Sequence, residues 1–265
     1  MSAPVSVLVH RDADLLAHAV TARLVTRLVD VQSARGHAHL VLTGGGTGIA
    51  CLSCLSRSPA RDAIDWSALD IWWGDERFLP TGHPDRNATQ ARTALLDHVP
   101  IPPERVHEMP ASDQVADVDA AASAYAETLR AHARPEDHAP TPSFDVLLLG
   151  MGPDGHVASL FPEHPALHAS LDPDGEAGAV IGVRGSPKPP PSRVSLTPGA
   201  ITAAREVWLV VTGEDKAPAV SLALSGAGPL AVPAAMARGR RRTLWLLDRA
   251  AAGSLPDDLV GPAGR

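Results

Sequence analysis

The chain has 265 residues, of which 45% are hydrophobic and 20% are charged. Its 23 basic and 30 acidic side chains give a formal net charge of −7, the wrong sign for a protein whose main partner is a nucleic acid or an anionic membrane. The apolar fraction is too high for a disordered chain, and no apolar run approaches the roughly 20 residues that span a bilayer. We therefore expect a cytoplasmic protein with a single domain over residues 1–265 and a flexible tail from about residue 250.

Short apolar runs alternate with helical periodicities along the chain. The predicted strands cover residues 5–9, 40–42, 69–73, 144–149, 180–183, 208–211 and 244–247. One helix is predicted from an apolar stripe over residues 16–28, and Gly36 would end it. Another begins after an N-cap at 83–85 and runs to about residue 98. The remaining helices are predicted over about 49–56, 118–129 and about 215–224. Residues 163–192 are rich in Pro and Gly, which predicts a long surface excursion. This alternation predicts an α/β fold, an open, mainly parallel, Rossmann-like sheet with helices on both faces.

Cysteine and lysine are both rare in this chain. Cys51 and Cys54 have C-x-x-C spacing, but they lie inside a predicted helix and not at its N-terminus, so we expect two buried apolar residues without a redox role. No second Cys or His pair comes after them at ligand spacing, and we expect no metal. Among the 23 basic residues only Lys188 and Lys216 are lysine, so each persists against a strong arginine bias.

Polar loops come directly after several predicted strands, at the edge of a parallel sheet where ligands bind. Gly44, Gly45, Gly46 and Thr47 precede a helix, an arrangement that suits either a phosphate cradle or a tight turn. It is not a P-loop, because no Gly-Lys-Ser/Thr ends it. After the next strand, the Asp75–Arg77 segment offers a guanidinium for phosphate or carbonyl oxygens; the alternative is a solvated turn with internal ion pairs.

The loop at 150–156 satisfies G-x-G-x-x-G, but Pro162 would stop its helix too early for a dinucleotide fold. What remains is His156 at a predicted helix start with Asp154 two positions before it, and an imidazole suits a general base near neutrality. Arg193 and Lys216 complete the set. A lysine that opens a helix opposes the helix dipole unless an anion lies beside it; the alternative is a solvated lysine.

These loops together predict a binder of a small phosphorylated metabolite with acid–base or hydrolytic chemistry. No G-x-S-x-G motif or exposed nucleophilic cysteine indicates a covalent acyl intermediate. The main alternative from another class is a non-catalytic sugar-phosphate sensor, and a nicotinamide oxidoreductase is a weaker one.

The sequence resembles the 6-phosphogluconolactonase family. The resemblance is carried, in the family's order, by these motifs: Thr43-Gly-Gly-Gly-Thr47, Trp73-Gly-Asp-Glu-Arg77, the 83–87 stretch, Gly150-Met-Gly-Pro-Asp-Gly-His156, Ala158-Ser-Leu-Phe-Pro162, Arg193-Val-Ser-Leu-Thr-Pro198 and Thr212-Gly-Glu-Asp-Lys216-Ala217. One departure is Ala88, where the family pattern leads us to expect an aromatic residue.

The resemblance implies hydrolysis of 6-phospho-D-glucono-1,5-lactone without a metal or organic cofactor. It implies that His156 activates water, with Asp154 and Arg77 in the active site. It also implies a substrate and phosphate site, made of Gly44, Gly45, Gly46, Thr47, Asp75, Arg193 and Lys216. The nearest alternative is an isomerase of the glucosamine-6-phosphate deaminase type, with Asp75 as the carboxylate base. We expect a monomer or weak homo-oligomer whose partner is the sugar-phosphate lactone.

Overall fold

The computed structural model describes residues 3–137, 139–172, 178–256 and residue 259. In chain order the strands are β1 (Val5–His10), β2 (Ala38–Leu42), β3 (Leu69–Trp73), β4 (Asp75–Arg77), β5 (Val146–Leu149), β6 (Val180–Val183), β7 (Arg193–Leu196), β8 (Glu206–Val211) and β9 (Arg242–Asp248). Six of them form a sheet in the order β1-β9-β8-β5-β2-β3, and every pairing in it is parallel. The predicted mainly parallel α/β sheet is thus confirmed.

The helices lie between these strands in the chain. They are α1 (Ala13–Arg35), α2 (Gly45–Arg57), α3 (Asn87–Ala94), α4 (Val118–His132), α5 (Pro165–Leu171), α6 (Pro198–Ala203) and α7 (Ala217–Leu224). The longest, α1, begins where the Asp12 carboxylate accepts the N–H of Leu15, and it ends at Gly36 in the left-handed conformation, as predicted. No helix in the described ranges is long and apolar enough to cross a membrane.

The core lies on both faces of the parallel sheet. Every residue of β2, β3, β5 and β8 is buried. Because successive side chains of a strand point to opposite faces, burial along a whole strand requires that both faces are covered. Trp72, Trp73 and Trp208 are the largest of the fully buried side chains. Cys51 and Cys54 are buried on α2, and burial raises the pKa of the Cys51 thiol to about 12.

A second, three-stranded antiparallel sheet was not predicted. Its order is β4-β7-β6. Arg193 of the central strand β7 lies opposite Arg77 of β4 on one side and Val183 of β6 on the other. The predicted strand at 180–183 is confirmed, and the segment 163–192, predicted to be a long surface excursion, also contains the unpredicted helix α5. Residues 173–177 of that segment are outside the described residues.

The structure also corrects the predictions for the segment after His156 and for the C-terminal tail. The helix predicted after His156 is not formed; turns and an isolated bridge between Val157 and Leu160 take its place. At the other end of the chain, Ala251 and Ala252 are still buried, so the beginning of the predicted tail packs on the core. Residues 257–258 and 260–265 of that tail lie outside the described residues.

Candidate active site

Four loops meet at the carboxyl edge of the parallel sheet, because β8, β5, β2 and β3 are neighbours in that order. The chain leaves β2 toward β3 on one side, and β5 lies on the other side of β2. The strand order therefore reverses between β2 and β5, and ligands of open α/β sheets bind at such a point. A cleft of about 450 Å³ opens there. Nine predicted site residues line it: Gly44, Gly45, Gly46, Thr47, Asp75, Arg77, His156, Arg193 and Lys216.

The glycine-rich loop after β2 forms one wall of the cleft. Helix α2 begins at Gly45, earlier than the predicted start near residue 49, and no side chain caps its N-terminus. Unpaired N–H groups of the first turn thus lie at the cleft, as an anion site requires. Gly44 is needed for close packing, since a Cβ there would lie 1.9 Å from Asn87 Oδ1. The Thr47 hydroxyl forms a 2.8 Å hydrogen bond with that of Thr212.

Asp154 and His156 form a hydrogen-bonded pair on the loop after β5. The Asp154 Oδ1 atom lies 2.6 Å from His156 Nδ1, and the imidazole is only 16% exposed. Burial raises the pKa of Asp154, but the hydrogen bond and charge of His156, with the charge of Lys188, lower it further, and the net pKa is well below its usual range. Asp154 therefore stays ionised, and it contacts the imidazole without itself lining the cleft.

Gly152 makes this pair possible. A Cβ on Gly152 would lie 2.1 Å from His156 Nδ1 and 2.5 Å from Asp154 Oδ1. The loop is closed by two backbone hydrogen bonds, from Gly152 N–H to His156 O and from Gly155 N–H to Gly152 O, both 3.0 Å long. The predicted helix start is thus replaced by a tight turn that holds the histidine over the cleft.

The short strand β4 brings Asp75 and Arg77 to the same cleft. The Asp75 Oδ2 atom accepts a 2.6 Å hydrogen bond from the Ser159 hydroxyl. Arg77 donates from Nη1 to the Asp85 carbonyl at 2.8 Å, while its buried Nε atom has no hydrogen-bond partner among the described residues. The guanidinium is therefore anchored at one end and has an N–H donor left over.

Glu76, between them, points away from the cleft and caps α3. Its carboxylate accepts the N–H groups of Asn87 at 2.6 Å and Ala88 at 2.9 Å, so the N-cap predicted at 83–85 is wrong. Burial raises the pKa of Glu76 to about 7, although the nearby Arg86 charge lowers it. Ala88 is itself buried, and α3 reaches the cleft through Asn87.

The two cations predicted to hold phosphate differ in their surroundings. Arg193 is 5% exposed, and its guanidinium donates to the carbonyls of Lys188, Pro189 and Pro190. Lys216 ends a short 3₁₀ turn before α7, and its ammonium group donates to the Asp215 carboxylate. Both line the cleft, but Arg193 has most of its donors engaged by the protein.

Three other cleft residues, Lys188, Asn87 and Thr212, had no predicted role in the site. Asn87 and Thr212 lie in quoted motifs without a role assigned to them. The feature of the sequence that pointed to Lys188 is that it is one of only two lysines among 23 basic residues. No group of three or more His, Cys, Asp or Glu side chains within the described residues could hold a metal ion.

Comparisons with known proteins show the family of this chain. The profile of the family described as Glucosamine-6-phosphate isomerases/6-phosphogluconolactonase matches residues 11–245. The chain is 62% identical over 265 residues to a 6-phosphogluconolactonase of Streptomyces coelicolor, covering 99% of both chains. It is 51% identical over 253 residues to one of Mycobacterium tuberculosis, covering 95% of this chain and 98% of that one.

Solved structures give the same result. The 6-phosphogluconolactonase of Trypanosoma brucei superposes with a TM-score of 0.81 at 29% identity, covering 96% of this chain and 100% of that chain. A monomeric glucosamine-6-phosphate deaminase superposes with a TM-score of 0.74 at 19% identity, which is a likeness of fold. The chain therefore belongs to the family of glucosamine-6-phosphate isomerases and 6-phosphogluconolactonases.

Proposed function

We propose that this protein hydrolyses 6-phospho-D-glucono-1,5-lactone to 6-phosphogluconate, the second step of the oxidative pentose phosphate pathway, in the cytoplasm. The observation that carries the proposal is the Asp154–His156 hydrogen bond in a cleft that also contains a helix N-terminus and several cations. The names of the relatives, 6-phosphogluconolactonases of 62% and 51% identity, support the same substrate.

In the proposed mechanism His156 acts as the general base. Its Nδ1–H group donates a hydrogen bond to the Asp154 carboxylate, which leaves Nε2 free to accept a proton from water as that water attacks the lactone carbonyl carbon. Asp154 orients the ring and stabilises the imidazolium that forms. A positioned base of this kind accelerates a reaction by roughly 10²–10⁴-fold.

The attack places negative charge on the carbonyl oxygen. We assign its stabilisation to the guanidinium of Arg77, which lines the cleft, or to backbone N–H groups of the cleft. Removal of one such donor lowers rates by about 10²–10³-fold in enzymes where this has been measured. The phosphate, remote from the reacting carbon, would lie at the start of α2 near Lys216 and orient the lactone.

The test is lactone hydrolysis by the purified chain, followed by acid release and corrected for the spontaneous reaction. We expect His156→Ala to lower kcat by at least about 100-fold. His18→Ala, an exposed histidine on α1, is the matched control and should hydrolyse the lactone at the normal rate. Near-normal hydrolysis by His156→Ala would refute the base assignment. Tight binding of 6-phosphogluconate without turnover by the unmodified chain would instead support a sensor.

One observation favours a second candidate, the deaminase chemistry of the same family. Asp75 lines the cleft and could remove a proton from carbon, as an isomerase requires. Its Oδ2 atom, however, already accepts a 2.6 Å hydrogen bond from the Ser159 hydroxyl, so this oxygen is engaged by the protein. Incubation with glucosamine 6-phosphate distinguishes the two, because release of ammonia would identify the deaminase.

A further inference from the structure

Both lysines of the chain line the same cleft, although 21 of its 23 basic residues are arginine. Lys216 was expected there, but Lys188 belongs to a Pro-rich segment for which no role was predicted. The Lys188 side chain is 38% exposed, so its ammonium group is accessible to a ligand in the cleft.

The Lys188 ammonium group lies against the catalytic pair. Its Nζ atom is 3.2 Å from His156 Nδ1 and 3.5 Å from Asp154 Oδ1. We propose that Lys188 is a second phosphate-binding cation, and that in the free protein it rests on the Asp154–His156 pair and restrains the base until phosphate displaces it. This inference rests on the proposed lactonase function.

Arg193 supports this assignment because it acts on Lys188. Its Nη2 atom donates to the carbonyls of Lys188 at 3.2 Å and Pro189 at 2.9 Å, and its Nε atom donates to Pro190 at 3.2 Å. The guanidinium also lies 5.6 Å from the centre of the Phe161 ring. A buried cation that binds three successive carbonyls fixes the backbone of a loop. Arg193 is therefore a positioning residue for Lys188.

Lys188 and Lys216 also act on a common carboxylate. The hydrogen bond from Lys216 lowers the pKa of Asp215, and the charge of Lys188 lowers it further. The Asp215 carboxylate thus interacts electrostatically with both ammonium groups. Two ammonium groups that line one cleft match the two negative charges of a phosphate monoester.

The contact with His156 has a chemical consequence. The neutral imidazole carries one proton, on either Nδ1 or Nε2. When Nδ1–H donates to Asp154, Nε2 is free to accept a proton from water. The Lys188 ammonium group lies 3.5 Å from the same Asp154 Oδ1 atom, so it competes with Nδ1–H for the carboxylate that orients the ring. A phosphate that draws the flexible ammonium group away leaves this carboxylate to His156, so phosphate binding and base activation are coupled.

The test compares two substrates, the 6-phosphorylated lactone and unphosphorylated glucono-1,5-lactone, in Lys188→Met. Loss of a charge-assisted contact should raise KM for the phosphorylated lactone by roughly 10- to 100-fold. The value of kcat/KM for the unphosphorylated lactone should stay the same or rise. The preference for the phosphorylated substrate therefore falls at least about 10-fold. Arg184→Met, which removes the same charge from a residue paired with Asp119, is the matched control and should keep the preference.

Inorganic phosphate provides a readout that needs no turnover. Calorimetric titration should show its dissociation constant raised about 10-fold or more in Lys188→Met and unchanged in Arg184→Met. Lys188→Gln repeats both measurements should the methionine variant fold poorly. Equal losses on both substrates, or unaltered phosphate binding, would overturn the inference while the lactonase function stands. An unmodified chain without lactonase activity would instead refute the proposed function.

Discussion

Replacing Gly152 by alanine changes the active site through one methyl group. The new Cβ would lie 2.1 Å from both Nδ1 and Cε1 of His156, whereas ordinary van der Waals contact begins at 3.4 Å. The ring must therefore move by about 1 Å or more, and the Asp154 carboxylate, 2.5 Å from the same Cβ, must also move. Gly152 does not have a positive φ, so the alanine backbone itself is unstrained.

The expected effect is a loss of rate with little loss of stability. A displacement of about 1 Å in a catalytic group lowers rates by roughly 100-fold, so kcat should fall by that factor with KM nearly unchanged. The His156 ring lies at the rim of the cleft with 16% of its side chain exposed, so it can turn toward solvent. We therefore expect a change of less than about 1 kcal/mol in the free energy of unfolding.

The assay is lactone hydrolysis by Gly152→Ala, by His156→Ala and by the double variant. If Gly152 acts only through the histidine, the double variant loses no more activity than His156→Ala alone, since coupled effects are not additive. Gly228→Ala, where a Cβ would meet nothing within 4 Å, is the matched control. A rate within threefold of the unmodified protein for Gly152→Ala, or additive losses in the double variant, would refute the reasoning.

Three further predictions concern groups outside the reaction itself. The pKa of Glu76 is raised from 4.5 to about 7 in the folded protein. Between these pH values the folded protein holds a proton that the unfolded chain has lost, so the free energy of unfolding declines as pH rises from 4.5 to about 7. Urea titrations at several pH values should therefore give a flatter pH dependence for Glu76→Gln than for the unmodified protein. Asp145→Ala removes a fully buried carboxylate that is bound to Arg35, and it should destabilise the fold by about 3 kcal/mol in thermal or urea unfolding. The value of kcat should stay unchanged, because this pair lies at the amino edge of the sheet. Cys51 and Cys54 should resist a thiol reagent at pH 8 until the protein is unfolded, and labelling of the native protein would contradict their burial.

The positions of the buried strands could be predicted because their signal is local. A continuously apolar run such as 146–149 must be covered on both sides, and this holds whichever strands flank it. The loops that come after such runs were identified for the same reason. The order β8-β5-β2-β3, which brings four of these loops together, depends on pairing between distant segments and leaves no local trace.

The elements that sequence reasoning missed depend on contacts made far along the chain. Strand β4 is three residues with two carboxylates, and it forms because it pairs with β7. Helix α3 is capped by Glu76 from that strand instead of by a residue next to its own N-terminus. Helix α2 begins at a glycine, which has poor helix propensity, and the Gly44 before it packs closely on the distant Asn87. In each case tertiary contacts outweigh local preference.

The choice between lysine and arginine at position 188 depends on what the inferred role demands. An arginine there would offer a planar fork that binds the Asp154 carboxylate through two parallel hydrogen bonds, and it would hold that geometry with or without substrate. A lysine presents a single compact charge on a flexible stem, so it can leave His156 when phosphate arrives. In a chain where 21 of 23 basic residues are arginine, this difference gives a physical reason for a lysine at that position.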